Sequence, residues 1–204
     1  HIYSNFIDEP YPAFPLVCLT VSGGHTQLVL MREDFSFELI GETRDDAAGE
    51  AFDKVAKLLG LGYPGGPKID AHAKQGNPAA IDFPRSYLDD DAFGFSFSGI
   101  KTSVLYYMRD NHPNGISQQQ LDDICASFQA SIIDVLVNKT LLAAKELGVK
   151  NIALAGGVSA NSRLRAEMSR AALEAGLQLC IPKSEYCTDN AAMIAALGYK
   201  KHLR

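Results

Sequence analysis

The chain lacks an apolar run approaching the roughly 20 residues of a membrane-spanning helix, and no signal peptide heads it, so a cytoplasmic protein with no membrane partner is expected. Cysteine is sparse, and Cys18, Cys125, Cys180 and Cys187 show no C-x-x-C spacing. Three of them lie in apolar stretches, which favours reduced, structural thiols over a disulfide framework or a zinc site. Positive charge is also short. The formal net charge of −5 argues against a broad nucleic-acid-binding surface, although it leaves room for a local basic patch. There is no H-E-x-x-H helix, which removes the simplest metallopeptidase signature, and no internal repeat or low-complexity tract. An initiating methionine is absent as well: the chain opens on His1, so processing, truncation or a tag remnant is expected.

What is present is an ordinary globular composition, 47% hydrophobic and 21% charged over 204 residues, enough for one large domain or one domain plus part of another. The organising stretch is Leu16 to Met31. Two β-branched apolar runs meet there at Ser22-Gly23-Gly24-His25-Thr26, which reads as a hairpin. Adjacent glycines also let backbone N–H groups approach an anion, so the turn is either a plain hairpin or a phosphate cradle.

Phe35 to Gly41 predicts a third strand by alternation. Asp45-Asp46 is a candidate N-cap for a helix carrying Ala48, Phe52, Val55 and Leu59 and ending at Gly60. Leu61 to Asp91 is rich in glycine and proline, with a short helix expected from Lys68 to Lys74. An extended piece, Phe93 to Ser98, leads into a helix near Lys101 to Met108. Ser117 and Gln120 form a capping-box pattern ahead of the longest helix, which ends before Gly148. Asn151 to Ala155 predicts a buried strand, Gly156-Gly157 a turn, and Asn161 the cap of a helix reaching Ala175-Gly176. Leu177 to Ile181 is a last strand, and a final helix opens near Asp189-Asn190 and runs to about His202. This order predicts an α/β fold, a ribonuclease-H-like lobe of the actin, sugar kinase and Hsp70 ATPase superfamily.

Six dense blocks add a more specific signal: Ser22-Gly23-Gly24-His25-Thr26, Gly41 to Ala56, Gly60 to Pro67, Phe95 to Thr102, Gly156 to Asn161, and Cys187 to Ala195. In this order and spacing they closely resemble the bacterial TsaD family, once labelled Gcp or O-sialoglycoprotein endopeptidase. The resemblance covers essentially the whole chain but not the family's preceding lobe, of which only the second His of a His-x-x-x-His motif matches, at His1. It implies residues 1–15 as a remnant of the first lobe, 16–188 as the second lobe with helical inserts, and 189–204 as a helix returning toward the first.

The resemblance also implies an activity, transfer of a threonylcarbamoyl group from threonylcarbamoyl-AMP to the exocyclic amine of the adenosine beside the anticodon of tRNA. TsaB-like and TsaE-like proteins are the implied partners, and this chain alone is expected to be inactive. Carried over by position, the metal ligands are His1 and Asp189, for one divalent ion. Fe(II) is the first expectation, with Zn(II) or Mg(II) as substitutes. The AMP moiety is implied to lie against Thr20, Val21, Ser22, Gly23, Gly24, Asp53, Gly66, Asp70 and Asn161. None of these is a general base, so catalysis by positioning and electrostatics is expected.

Bland alternatives stand beside these roles. Asp189 and Asn161 would pass as helix caps, Asp53 and Asp70 as solvated helix faces, and His25 as a turn residue satisfied by backbone. His72 and His112 sit in polar surroundings and receive no role. Lys54, Lys57, Lys101, Arg163, Arg165, Lys200, Lys201 and Arg204 form either a tRNA-facing patch or scattered surface charge. Competing functions are a non-catalytic TsaB-like scaffold, a metallopeptidase after the old family label, and a sugar or acetate kinase.

Overall fold

A computed structural model describes residues 1–87 and 91–203; Arg204 of the basic set lies outside the described residues. After a 3-10 helix at Ile2–Phe6 come β1 (Leu16–Val21), β2 (Thr26–Met31), β3 (Glu38–Glu42), α1 (Ala48–Leu58), α2 (Gly65–Ala73), α3 (Ser98–Asn111) and α4 (Gln118–Glu146). Then follow β4 (Asn151–Ala155), a 3-10 turn at Gly157–Ala160, α5 (Ser162–Glu174), β5 (Gln178–Cys180), a 3-10 turn at Ser184–Tyr186 and α6 (Ala191–His202).

The strands form one sheet in the order β3-β2-β1-β4-β5. β1, β2 and β3 run antiparallel in sequence, while β4 and β5 lie parallel to β1. Alternation along β1 decides how the sheet is covered, because successive side chains point to opposite faces. Val17, Leu19 and Val21 join Leu28, Leu30, Ile152 and Leu154 in a large core with the helices, where Phe52 of α1 meets Phe128 of α4 edge-on at 5.2 Å. Leu16, Cys18, Val29, Met31, Ala153 and Ala155 face the other side and pack with Tyr3 and Phe6, with Leu197 of α6 against them. The N-terminal segment and α6 thus share the second face.

Several local expectations are corrected. Asp45 and Asp46 do not cap α1. Ala47 occupies the cap position, and the buried Thr26 hydroxyl accepts the Ala48 N–H at 2.9 Å. Asp45 caps α3 from a distance of about 50 residues in sequence instead. Its carboxylate accepts from Ser96 Oγ (2.6 Å), Ser98 Oγ (2.7 Å), Phe97 N (2.8 Å) and Ser98 N (3.2 Å). Burial alone would raise its pKa, but these four donors outweigh it and hold the carboxyl below its ordinary value.

Asp45→Ala is therefore expected to cost about 1–2 kcal/mol, read as a lower urea midpoint. The sign of the pH dependence follows from the lowered pKa. The contribution is full above the unfolded carboxyl's pKa of about 3.9 and fades as pH falls through the folded value, so wild type and variant converge in acid.

β3 starts at Glu38, not Phe35, because Phe35 adopts a left-handed conformation (φ 65°) and turns its ring onto Tyr3 at 5.5 Å. α2 starts at Gly65 rather than Lys68, since Asp53 Oδ1 accepts the Gly65 N–H at 2.7 Å and so stabilises an earlier first turn. α3 is longer than expected at both ends, and β5 is two residues shorter. The capping box of α4 is borne out: Ser117 Oγ accepts from Gln120 N and the Gln120 side chain accepts from Ser117 N.

By length and composition alone α4 passes as a membrane-spanning helix. However, 83% of its most apolar window is buried inside this fold, as befits a core helix.

All four thiols are free. Burial pushes Cys18 and Cys125 up to about 12, which keeps them protonated and unreactive.

Candidate functional site

Because β1 and β4 are parallel, their carboxyl ends lie side by side, and the hairpin after β1 meets the glycine turn after β4. Crevices at the carboxyl ends of parallel strands are the usual ligand sites of open α/β sheets. The contact is intimate. Gly156 has φ 88°, and a Cβ there would run into the Val21 carbonyl. Gly49, in the first turn of α1, donates its N–H to the Ser22 carbonyl at 3.1 Å, and a Cβ on it would stand 2.5 Å from that same oxygen.

Ser22 organises the hairpin turn: its Oγ accepts from Gly24 N (3.3 Å) and His25 N (3.1 Å), while its N–H donates to the His25 carbonyl (2.8 Å). Gly23 and Gly24 are exposed, and a Cβ on either would meet nothing within 4 Å. The protein itself therefore does not require glycine at these two positions. Gly65 does need to be glycine, because it packs on Asp53 and Ala56 of α1.

From this base the implied residues follow as a linked series. Asp53 holds the start of α2, whose next residue is Gly66. Asp70 of α2 accepts from Ser162 Oγ of α5 at 2.8 Å through Oδ1, and Lys74 pairs with its Oδ2 at 3.3 Å. Asn161 caps α5 by accepting from Leu164 N (2.9 Å), as its bland reading expects, and donates from Nδ2 to Gln129 Oε1 of α4 (2.7 Å). The Thr188 methyl group lies 3.9 Å from where a Gly157 Cβ would be, which seats the segment preceding α6 over the second glycine turn.

Asp189 follows Thr188, and its carboxylate pairs with His1 Nε2 at 3.1 Å, the side chains being 28% and 94% exposed for His1 and Asp189. The helix-cap alternative for Asp189 does not hold, because Asn190 caps α6 by accepting from Met193 N at 2.9 Å. An imidazole nitrogen and a carboxylate oxygen suit Fe(II) or Zn(II), and two ligand atoms at right angles, each about 2.1 Å from one ion, stand about 3 Å apart. The pair thus fits two adjacent positions on a divalent ion. It supplies only part of a site: among the described residues no three His, Cys, Asp or Glu side chains converge on one point.

Other polar residues have partners that the sequence does not show. His72 lies on α2, and its Nδ1 pairs with the buried Asp122 of α4 at 2.6 Å, tying the helix that carries Asp70 to the core. Lys54 is taken up by Asp46 (2.7 Å) and Glu50 (2.9 Å), and Lys200 sits over the Phe6 ring at 4.7 Å. Arg165 turns inward to bond backbone carbonyls. All three thus have partners within the fold. Sequence reasoning gives Gly49 no role of its own; its one local signal is that a glycine inside a helical pattern costs stability against alanine.

The sheet order and the meeting of the two glycine turns at the strand ends define a ribonuclease-H-like lobe of the actin, sugar kinase and Hsp70 ATPase type. Solved structures agree on the fold. Full-length HypF in its phosphate- and nucleotide-bound form superposes with a TM-score of 0.76 at 14% identity, covering 98% of this chain and 35% of that one. The activator of 2-hydroxyisocaproyl-CoA dehydratase from Clostridium difficile, with bound ADPNP, gives 0.54 at 16% identity over 99% of this chain and 67% of that one.

Sequence comparison is more specific. The profile of the family described as TsaD, tRNA N6-adenosine threonylcarbamoyltransferase, matches residues 1–196, and the chain belongs to that family. Proteins named tRNA N6-adenosine threonylcarbamoyltransferase from Cytophaga hutchinsonii and Salinibacter ruber are each 52% identical to it, over 100% and 98% of the chain. One from Thermotoga neapolitana is 48% identical over 100% of the chain. The chain spans about 60% of the length of these relatives.

Proposed function

We propose that the full-length protein transfers a threonylcarbamoyl group from threonylcarbamoyl-AMP to the exocyclic amine of the adenosine beside the anticodon of tRNA, and that this chain supplies its adenylate-holding lobe. The observation that carries the reading is the meeting of the Ser22–Gly24 hairpin, the Gly156–Asn161 turn and the His1–Asp189 pair at one end of β1 and β4.

In this reading the bare Gly23–Gly24 tip admits the phosphate, with Thr20, Val21 and Ser22 holding the turn in shape. Asp53, Gly66 and Asp70 line the ribose side, where Asp70 exchanges Ser162 or Lys74 for a hydroxyl, because both of its oxygens are otherwise engaged. Asn161 presents the polar edge at the α5 N-terminus.

His1 and Asp189 are the ligands we assign to one divalent ion, Fe(II) first and Zn(II) or Mg(II) as substitutes. Such an ion would polarise an oxygen of the donor as a Lewis acid. The chain's own contribution is to orient the donor and to hold its departing phosphate.

Residues 1–15 and 189–204 are assigned to the junction with a first lobe, since Leu197 of α6 packs with Tyr3 and Phe6 on the second face of the sheet. TsaB-like and TsaE-like proteins are the proposed partners and the cytoplasm the proposed location. The test is direct: full-length protein, divalent metal, both partners, tRNA and threonylcarbamoyl-AMP should yield threonylcarbamoyl-adenosine, detected by mass analysis of the nucleosides. No modified nucleoside under these conditions would overturn the assignment.

A further inference from the structure

We infer that Arg165 is a positioning residue that sets where the Asp189 segment sits relative to the adenylate turn, and thereby the affinity of the His1–Asp189 pair for a divalent ion; the inference rests on the site reading above. Arg165 lies on α5, one turn beyond the Asn161 cap. Its Nε donates to the Ser159 carbonyl at 2.8 Å, within the 3-10 turn that follows Gly156. Its Nη2 donates to the Pro182 carbonyl at 2.7 Å and lies 3.2 Å from Cys187 Sγ, two residues before Asp189. Ser159, Pro182 and Cys187 are all buried, so the guanidinium fork joins two backbone segments inside the fold.

The two segments differ in what else fixes them. The adenylate turn is held by Gly156 against Val21, by Ser159 Oγ on the Gly156 carbonyl (2.6 Å), and by the Asn161–Gln129 bond. Apart from the fork, the 182–189 segment is held by local bonds such as Asn190 Nδ2 to the Tyr186 and Thr188 carbonyls, by the Thr188 methyl group beside Gly157, by the Asp189–His1 pair itself, and by the Lys183–Asp8 ion pair. That ion pair lies at the surface, where such bonds contribute little. Removing the fork frees the second segment far more than the first. Asp189 then loses its placement opposite His1 while Ser22, Asp53, Asp70 and Asn161 keep theirs.

The test uses the full-length protein with two separate probes, Co(II) alone, read by its d–d absorption, and AMP alone, read by calorimetry. Arg165→Met should weaken Co(II) binding at least about tenfold, as loss of a supporting residue around a metal does, and alter the d–d bands. AMP affinity should stay within about twofold, as expected of a site with independent supports. Arg165→Lys, which can still donate to one carbonyl, should recover part of the Co(II) affinity.

Unchanged Co(II) binding in Arg165→Met, or equal loss of both probes with a falling Tm, overturns the inference. If Arg165→Met does not fold, Arg165→Lys decides alone: weaker Co(II) with unchanged AMP supports it, and any other pattern overturns it. Asp189→Ala separates the two levels. If that variant binds Co(II) like wild type, the metal-site reading itself fails; if it loses Co(II) while Arg165→Met does not, only the role of Arg165 fails.

Discussion

Asp189→Ala in the full-length protein is expected to remove threonylcarbamoyl transfer to tRNA, by at least about a hundredfold, equivalent to about 2.7 kcal/mol of transition-state stabilisation. The same substitution should leave the fold untouched. The side chain is 94% exposed, it pairs with His1 rather than capping a helix, and Asn190 provides the cap of α6. An exposed residue outside the core and the caps changes stability by about 0.5 kcal/mol at most. Activity measured beside a thermal melt therefore separates the proposed ligand from a structural aspartate. Wild-type activity in the variant would refute the metal assignment; a large fall in Tm would return Asp189 to a structural role.

The second large effect is at Gly156. Its backbone, φ 88° and ψ 165°, lies in a region that is nearly exclusive to glycine, and a Cβ would strike the Val21 carbonyl of the neighbouring strand. Gly156→Ala should cost about 3 kcal/mol, which for a chain of this size lowers Tm by about 6–12 °C. It should also push the second glycine turn away from the first, so adenylate affinity should fall even in the molecules that remain folded.

Gly24→Ala is the matching control. Its Cβ meets nothing within 4 Å, so stability should move by less than about 1 kcal/mol, while AMP binding should weaken because the methyl group would occupy the space we assign to the phosphate. Equal AMP affinity in Gly24→Ala and wild type would place the phosphate elsewhere.

Much of the fold was legible because each signal acts over a few residues. The apolar runs of β1 and β2, the capping box at Ser117 and Gln120, and the Asn161 cap are all local, and each lies where the sequence predicts. The errors share a cause. Asp45 and Asp46 stand where an α1 cap would stand, but Asp45 is drawn to Ser96, Phe97 and Ser98, and the Thr26 hydroxyl takes over the α1 N–H. No window of neighbouring residues contains that competition. The early start of α2 at Gly65 has the same origin in Asp53.

The family, the succession of strands and helices along the chain, and the residue types proposed for a phosphate and a divalent ion are readable from the amino-acid order, because motif spacing and side-chain periodicity are properties of the chain as written. Which of those residues meet follows from the packed fold. Parallel pairing of β1 with β4 brings two glycine turns, far apart in the chain, to one end of the sheet, where close backbone approach at Gly156 joins the second turn to β1 and Gly49 joins α1 to the first. Arg165 likewise reads as one more surface charge until the fold turns it toward two buried carbonyls. The physical reason is that a charged group's role is set by the donors and acceptors within about 3 Å of it, and those come from whichever segments the packed sheet places there.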